Sequence, residues 1–516
     1  MSLLRFAATV GGYTLASRLL GFLRDMAIAA AVGAGPVADA FFVAFKLPNF
    51  FRRLFAEGAF NAAFVPLYSK LVEREGEGAA RRFAEAAMSA LLTTLLIFTL
   101  LFELGMPWFM HVLAPGFADD PPKFALAIEL TRITFPYLLF ISLVSLLGGM
   151  LNSLHRFAAV AAAPILMNLA MLAGLFALKP FTPTAGHALA WGVAAAGLAQ
   201  FLWLVVACRR AGVELRLPRP RLTPKVRELL RLMLPAALGA GVVQVNLVVD
   251  VILASLLPDG SVSYLFYADR LNQLPVGVVG IAIGTALLPV MSRQLAAGDE
   301  AGAMASVNRS LEMILLLTLP ATVAFVVAPF ELVGVLFERG AFGPKETQAT
   351  ALALVAFSLG LPAYVMNKAL TPPYYARHDT RTPVIYGVVS MLANIAFNLV
   401  AMHYLAHVGL ALGTAFAAWL NNGMLWWTLR RRGWLRLDAR LVSRTVRIVA
   451  ASGLLAVALW GGLEALEPWF AARGPSRLAA LALLVGGALA VYGAAALVLR
   501  AVEPAELKAL ARRAPR

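Results

Sequence analysis

The chain has 516 residues, 60% hydrophobic and 14% charged, with a mean hydropathy of +0.78 and a net charge of +16. Soluble domains are about half apolar and a quarter charged, so this composition excludes a water-soluble globular protein. The basic excess leaves nucleic-acid binding or membrane topology as its explanation, and the placement of Lys and Arg separates the two.

Apolar stretches long enough to cross a hydrocarbon layer roughly 30 Å thick as helix are expected at 6–33, 37–69, 83–111, 124–151, 157–179, 187–208, 232–257, 262–292, 310–330, 348–373, 383–403, 407–429, 446–467 and 478–499. Unbroken Ala/Leu/Val runs such as 478–499 exclude the short alternating segments of a membrane β-barrel. The expected fold is an all-α polytopic membrane protein of about 14 transmembrane helices. Arg5 precedes the first stretch, but Arg18, Arg24 and Asp25 interrupt it before a signal-peptide core is complete, so a retained helix is expected. GAGP (33–36), PDGS (258–261) and RGAFGP (339–344) fit tight connections. Prolines 136, 235, 275, 289, 320 and 362 lie inside spans and mark bends or packing accommodations. The single cysteine, Cys208, ends an apolar run and leaves neither a disulfide framework nor a thiolate metal site.

Of the 44 Lys and Arg residues, thirty fall in even-numbered connections and at the termini, six in odd-numbered connections and eight inside spans. Such a bias sets orientation: even connections and both termini are expected in the cytoplasm, and the basicity reports topology, not a nucleic-acid partner. Basic runs, 209–231 especially, are also placed to touch anionic lipid headgroups.

Two stretches echo each other about 223 positions apart. Ala44-Phe45-Lys46-Leu47 matches Ala268-Asp269-Arg270-Leu271, and Phe64-Val65-Pro66-Leu67-Tyr68-Ser69-Lys70 matches Leu287-Leu288-Pro289-Val290-Met291-Ser292-Arg293. Pro164 and Pro383 each begin a helix that carries an asparagine. The expected organisation is two six-helix lobes, 1–215 and 216–435, with two further helices and a tail in 436–516. An even number of helices per repeat keeps both copies in one orientation, related by a pseudo-two-fold along the membrane normal. Substrate is then expected where the lobes meet.

Inside the expected spans stand Arg18, Arg24, Asp25, Asp39, Lys46, Arg52, Arg53, Glu57, Arg132, Asp250, Asp269, Arg270 and Lys368. Each costs about 2.5–3.5 kcal/mol at mid-helix unless paired or wetted. At about 100° per residue, Asp39, Lys46 and Arg53 form one stripe with Glu57 a turn further, which reads as structural neutralisation. Arg18 and Asp25 share a face, Arg24 falls on the opposite flank with Ser17, and Arg52 and Arg270 face no carboxylate of their own helix. A hydrated cationic cavity with an anionic guest follows, and guanidinium forks suit phosphate. Internal salt bridging is the competing explanation.

The stretch LPNFFRRLFAEGAFNAAFVPLYSK (47–70), with TLASRLLGFLRD (14–25), ADAFFVAFKLPN (38–49) and YADRLNQLPVGVVGIAIGTALLPVMS (267–292), resembles the MurJ/MviN family of lipid II flippases. That family lies in the multidrug/oligosaccharidyl-lipid/polysaccharide exporter superfamily, and the similarity spans essentially the whole chain. The resemblance implies a non-enzymatic carrier in the bacterial inner membrane. It would move the undecaprenyl-diphosphate-linked disaccharide-pentapeptide from the cytoplasmic to the periplasmic leaflet by alternating access. It also implies roles in transport for Arg18, Arg24, Asp39, Arg52 and Arg270; Asp39 reads as structural from the residues alone. The last two helices are the expected builders of a groove for the polyprenyl tail. A monomer surrounded by membrane lipids is expected, with cell-wall synthesis enzymes as candidate protein partners.

No GxxxxGK[ST] phosphate loop occurs, so ATP hydrolysis is not expected to drive the cycle. Membrane potential or a coupled ion remains. Asp250, Asn394, Asn398 and Thr414 offer oxygens to a sodium ion, while a proton on Asp39 or Asp25 is the rival, and buried asparagines also glue helices together. His403 and His407 lack the glutamate of a zinc motif and read as an interfacial helix end. Asp119-Asp120 reads as a solvated turn. A multidrug exporter would want an acidic cavity, a membrane glycosyltransferase a catalytic acidic cluster, and a scaffold would leave the arginines without purpose.

Overall fold

The computed structural model describes residues 3–54, 60–214, 216–472 and 474–503. Helix occupies each of the fourteen expected stretches, and no strand occurs among the described residues. The helices are α1 (Leu3–Val32), α2 (Pro36–Phe51), α3 (Asn61–Glu75), α4 (Glu77–Leu113), α5 (Pro121–Thr134), α6 (Tyr137–Ser153), α7 (Phe157–Leu178), α8 (Ala185–Arg210), α9 (Pro224–Ser255) and α10 (Ser261–Pro275). They continue as α11 (Ile281–Ala296), α12 (Glu300–Val327), α13 (Pro329–Phe337), α14 (Pro344–Ser358), α15 (Leu361–Leu370), α16 (Pro372–Tyr375), α17 (Arg381–Arg431), α18 (Ala439–Ala471) and α19 (Pro475–Val498). Among the described residues, nine helical stretches are long and apolar enough to cross a membrane.

Local chemistry sets the boundaries. Asp120, Thr184, Thr223, Asp299 and Asp438 cap α5, α8, α9, α12 and α18 by accepting from first-turn N–H groups, so Asp120 is a helix cap within its turn. Several spans are broken, and the breaks after α2 and α10 fall between the two matched segments of each repeat copy. After Phe51 the chain widens into π-helix at 52–54, and α10 gives way to π-helix over Val276–Gly280 before α11. Such turns insert one residue into the ladder and rotate every later side chain. α17 holds two expected spans, separated where Ala406 leaves helical geometry (φ 46°, ψ −130°).

The chain forms two compact units, Met1–Ser263 with Arg339–Phe342, and Tyr264–Glu338 with Gly343–Arg516. In the first, Phe51 meets Phe98, Phe102 and Phe135 edge-on at 5.0, 5.1 and 6.0 Å, the arrangement that aromatic quadrupoles favour. Gly33 (φ +69°) ends α1, where a Cβ would sit 2.4 Å from the Ala341 carbonyl oxygen; at Gly340 (φ +58°) it would sit 2.2 Å from that of Ala30. With neither Cβ present, the Ala341 N–H donates to the Ala30 carbonyl at 2.9 Å, which docks segment 339–342 on the end of α1.

In the second unit, α18 and α19 pack on α12 through Ala451, Leu455, Leu459, Leu484, Ala488 and Tyr492. The Tyr492 hydroxyl donates to the Leu316 carbonyl at 2.6 Å. At one end of this bundle buried Glu312 accepts from Arg309, Arg440 and Arg444, and Arg444 also reaches Glu503 at 2.9 Å. In the turn before α17, burial acts to raise the Asp379 pKa, but bonds from the Thr382 N–H, Arg432 and the Thr382 hydroxyl outweigh it and hold the group at about 2.

Candidate functional site

Arg24 and Asp25 of α1 are only 7% and 3% exposed. The Arg24 guanidinium folds back on its neighbour, donating to Asp25 Oδ1 from Nε at 3.0 Å and from Nη2 at 2.6 Å. Its Nη1 donates to Asn168 Oδ1 of α7 at 2.8 Å. This corrects the expectation that Arg24 lies apart from the acid, while Arg18, placed by helical phase on the Asp25 face, does not bond to it. Backbone phase separates adjacent Cβ atoms, but a long guanidinium arm reaches round, and buried charges are stable only when paired. Asn168 Nδ2 donates to the Ser17 carbonyl at 2.9 Å, so one amide bridges Ser17 and Arg24. The amide lies close against α1 at Gly21, where a Cβ would make an ordinary 3.5 Å contact with it. Arg18, half-buried, makes no hydrogen bond or ion pair with any described residue.

Asp39 of α2 is 1% exposed. It accepts from Lys123 Nζ at 3.0 Å, Gly260 N–H at 2.7 Å, and Ser263 N–H and Oγ at 3.0 and 2.6 Å. Its carboxylate therefore sits on the first turn of α10, where unpaired N–H groups favour an anion. Lys123 also donates to Asp259 at 2.6 Å and lies 4.1 Å over the Phe117 ring. The expected stripe fails at its first member: Asp39 takes Lys123, from the start of α5, and not Lys46. Glu57 lies outside the described residues.

Arg52, half-buried, donates from Nε to Asn49 Oδ1 at 3.1 Å, and Asn49 in turn donates to the Phe45 carbonyl at 2.7 Å. Arg53 is exposed. Both lie where α2 has passed into π geometry, so phase counted at 100° no longer fixes their directions. In the second unit Arg270 is half-buried and stacks 4.6 Å over the Phe266 ring, a cation–π contact. Gln273 donates to Asp269 one turn along. Lys368 of α15 is exposed, its stem lying where Cβ atoms at Gly280 and Gly284 would come within 3.8 Å, and it takes no ion-pair partner among the described residues.

The oxygens expected to hold an ion divide between the units. Asp250 lies on α9 in the first and accepts from Asn246 at 3.4 Å. In the second, Asn398 Nδ2 donates to Asn394 Oδ1 at 3.3 Å, and Thr414 Oγ1 donates to the Leu410 carbonyl at 3.0 Å. A Cβ at Gly413 would lie 1.9 Å from Asn398 Oδ1, so that glycine admits the amide beside Thr414. The α17 donors are oxygens, as a hard cation wants, but all are neutral. His403 and His407 contact separate carbonyls, those of Leu399 and Ala349, at 2.8 and 2.9 Å.

Reasoning from sequence missed Lys123, Asp259, Ser263 and Asn168. Only Asn168 left a signal, four residues after a proline noted in the repeat. It also left acids out of the intramembrane count: Glu103, whose carbonyl accepts from Arg132 at 3.2 Å, and Glu312 with its arginines.

Spans threaded by charged helices, with ion pairs sealed between them, define a multi-pass, all-helical membrane protein of transporter type. The profile of the family described as lipid II flippase MurJ matches residues 28–477. A probable lipid II flippase MurJ of Rhizobium meliloti (strain 1021) is 46% identical over 96% of this chain and 94% of its own length. The lipid II flippase MurJ of Burkholderia cenocepacia is 34% identical over 90% and 92%. The chain belongs to the MurJ lipid II flippase family. In fold it is similar to a solved lipid II flippase MurJ in an inward closed conformation, with a TM-score of 0.79 and 24% identity over 94% of this chain and 97% of that one. A multidrug resistance MATE family transporter of the MOP superfamily follows at a TM-score of 0.62 and 16% identity, over 83% and 98%.

Proposed function

We propose that the protein carries lipid II from the cytoplasmic to the periplasmic leaflet of the bacterial inner membrane. Guanidinium groups of α1, α2 and α10 receive its diphosphate. The observation that carries this reading is Arg18, a half-buried guanidinium in an apolar helix that no described residue neutralises. A cation left so in a span needs water or an anionic guest. Arg52, steered by Asn49, and Arg270, steered by Phe266, add two further forks suited to phosphate. Arg24, held by Asp25 and Asn168, acts by fixing α1 against α7.

The cycle is alternating access by a monomer with both termini in the cytoplasm. The polyprenyl tail stays in lipid along a groove built by α18 and α19, and no covalent step occurs. Membrane potential or a coupled ion drives it: sodium on the α17 oxygens of Asn394, Asn398 and Thr414, or a proton on Asp25 or Asp39.

The test is complementation of a flippase-depleted bacterium by the wild type and by Arg18→Ala, Arg24→Ala, Arg52→Ala and Arg270→Ala, with membrane insertion verified. Rescue by the wild type and failure of Arg18→Ala, Arg52→Ala and Arg270→Ala is expected. Equal rescue by all removes the arginines from the mechanism. A correctly inserted wild type that fails to rescue directs attention to a different polyprenyl-diphosphate oligosaccharide or to export.

A further inference from the structure

Between α3 and α9, both in the first unit, lies a cavity of about 420 Å³ lined by Ala62, Pro66, Leu67 and Lys70 on one side and Glu228 and Leu232 on the other. The same pair of helices carries an ion pair, Lys225 Nζ of α9 donating to Glu75 Oε1 of α3 at 3.4 Å. Ala62, Pro66 and Lys70 follow one another at four-residue steps, so the wall they form runs about 12 Å along the helix.

The two charges of this cavity behave differently from their neighbours. Lys225 and Glu75 pair, whereas Lys70 and Glu228 line the same hollow and take no ion-pair partner among the described residues. The gap asks for a guest carrying both signs. We propose that the cavity binds the phosphoethanolamine headgroup of a membrane phospholipid. Its phosphate meets the Lys70 ammonium, its primary ammonium donates to the Glu228 carboxylate, and its glycerol and first methylenes lie on Ala62, Pro66 and Leu232. An anionic headgroup would set a phosphate against Glu228 with no cation between them. A choline headgroup has no N–H to donate.

Native mass spectrometry of the delipidated full-length protein, titrated with phosphatidylethanolamine, phosphatidylcholine and phosphatidylglycerol, tests this. The wild type should retain one phosphatidylethanolamine about tenfold more tightly than either other lipid, as expected for one added charge-assisted bond. Glu228→Gln should abolish that preference, Lys70→Gln should weaken phosphatidylethanolamine binding, and Ala62→Trp, which fills the cavity without touching either charge, should displace it. Equal retention of the three lipids, preference for phosphatidylglycerol, or a phosphatidylethanolamine preference unchanged in Glu228→Gln overturns the proposal. So does a polyprenyl diphosphate that competes for the cavity and displaces the phospholipid. The readout is lipid binding and stands independently of whether the protein flips lipid II.

Discussion

The two units place their buried carboxylates differently. In the first, Asp25 and Asp39 lie buried in α1 and α2, the helices that also carry Arg18, Arg24 and Arg52, each inside a closed set of donors. In the second, Glu312 sits where α12 meets α18 and ties the last two helices down, while Arg270 rests on an aromatic face and Lys368 stands exposed. The first unit thus uses acids to lock α1 and α2, and the second uses Glu312, inside α12, to hold the first turns of α18. A charged residue within a span is consequently no guide to its role until its partners are known: Arg24 and Arg18 are six positions apart, and one is sealed while the other is open.

Substitutions can break this contrast, beginning with the largest effect on stability. Asp39→Asn keeps the volume but removes the anion from Lys123, Gly260 and Ser263. Leaving a buried charge short of its partner costs roughly 3–5 kcal/mol. The expected outcome is a large fall in thermal-unfolding midpoint in detergent; an unchanged midpoint would separate Asp39 from the fold. Glu312→Gln, its counterpart in the second unit, should cost less, about 1.5–3 kcal/mol for a lost bond to a charged group, because its arginines keep Glu503 and Asp438, whereas the Gly260 and Ser263 N–H groups at Asp39 have no second acceptor among the described residues. Denaturation curves of the two variants side by side rank the units, and a greater loss for Glu312→Gln would reverse the comparison.

Asn168→Ala removes the amide that joins α7 to α1 and strands a guanidinium N–H and the Ser17 carbonyl, at about 1–3 kcal/mol. Asn168→Gln offers the same groups one methylene further out and should recover only part. If Asn168→Ala leaves the midpoint unchanged, the bridge contributes nothing and Arg24 is held by Asp25 alone.

What sequence could reach follows from the range of each interaction. Helices were legible because apolar runs are local, while the caps at Asp120, Thr223 and Asp438, although each accepts from an N–H only three residues on, were not read. The membrane class and the family were legible for the same reason, since both rest on contiguous residues. Partners were not. Lys123 is 84 positions from Asp39, and nothing near either residue names the other. Helical phase misled twice: it measures Cβ directions and not the reach of an arginine, and it presumes a regular helix where α2 is already π-helical at Arg52.

The smallest effect tests the close approach that makes the Arg24 lock possible. Gly21 lies in the middle of α1, where glycine costs roughly 0.5–1 kcal/mol against alanine in backbone freedom. An alanine Cβ there would meet the Asn168 amide at 3.5 Å, an ordinary contact, so Gly21→Ala should raise the thermal midpoint slightly and leave the bridge intact. Gly21→Leu gains the same backbone term but must displace Asn168, so its midpoint should fall below that of Gly21→Ala. If both variants stabilise alike, Asn168 can leave Arg24 without loss, and the first unit is less tightly locked than its geometry requires.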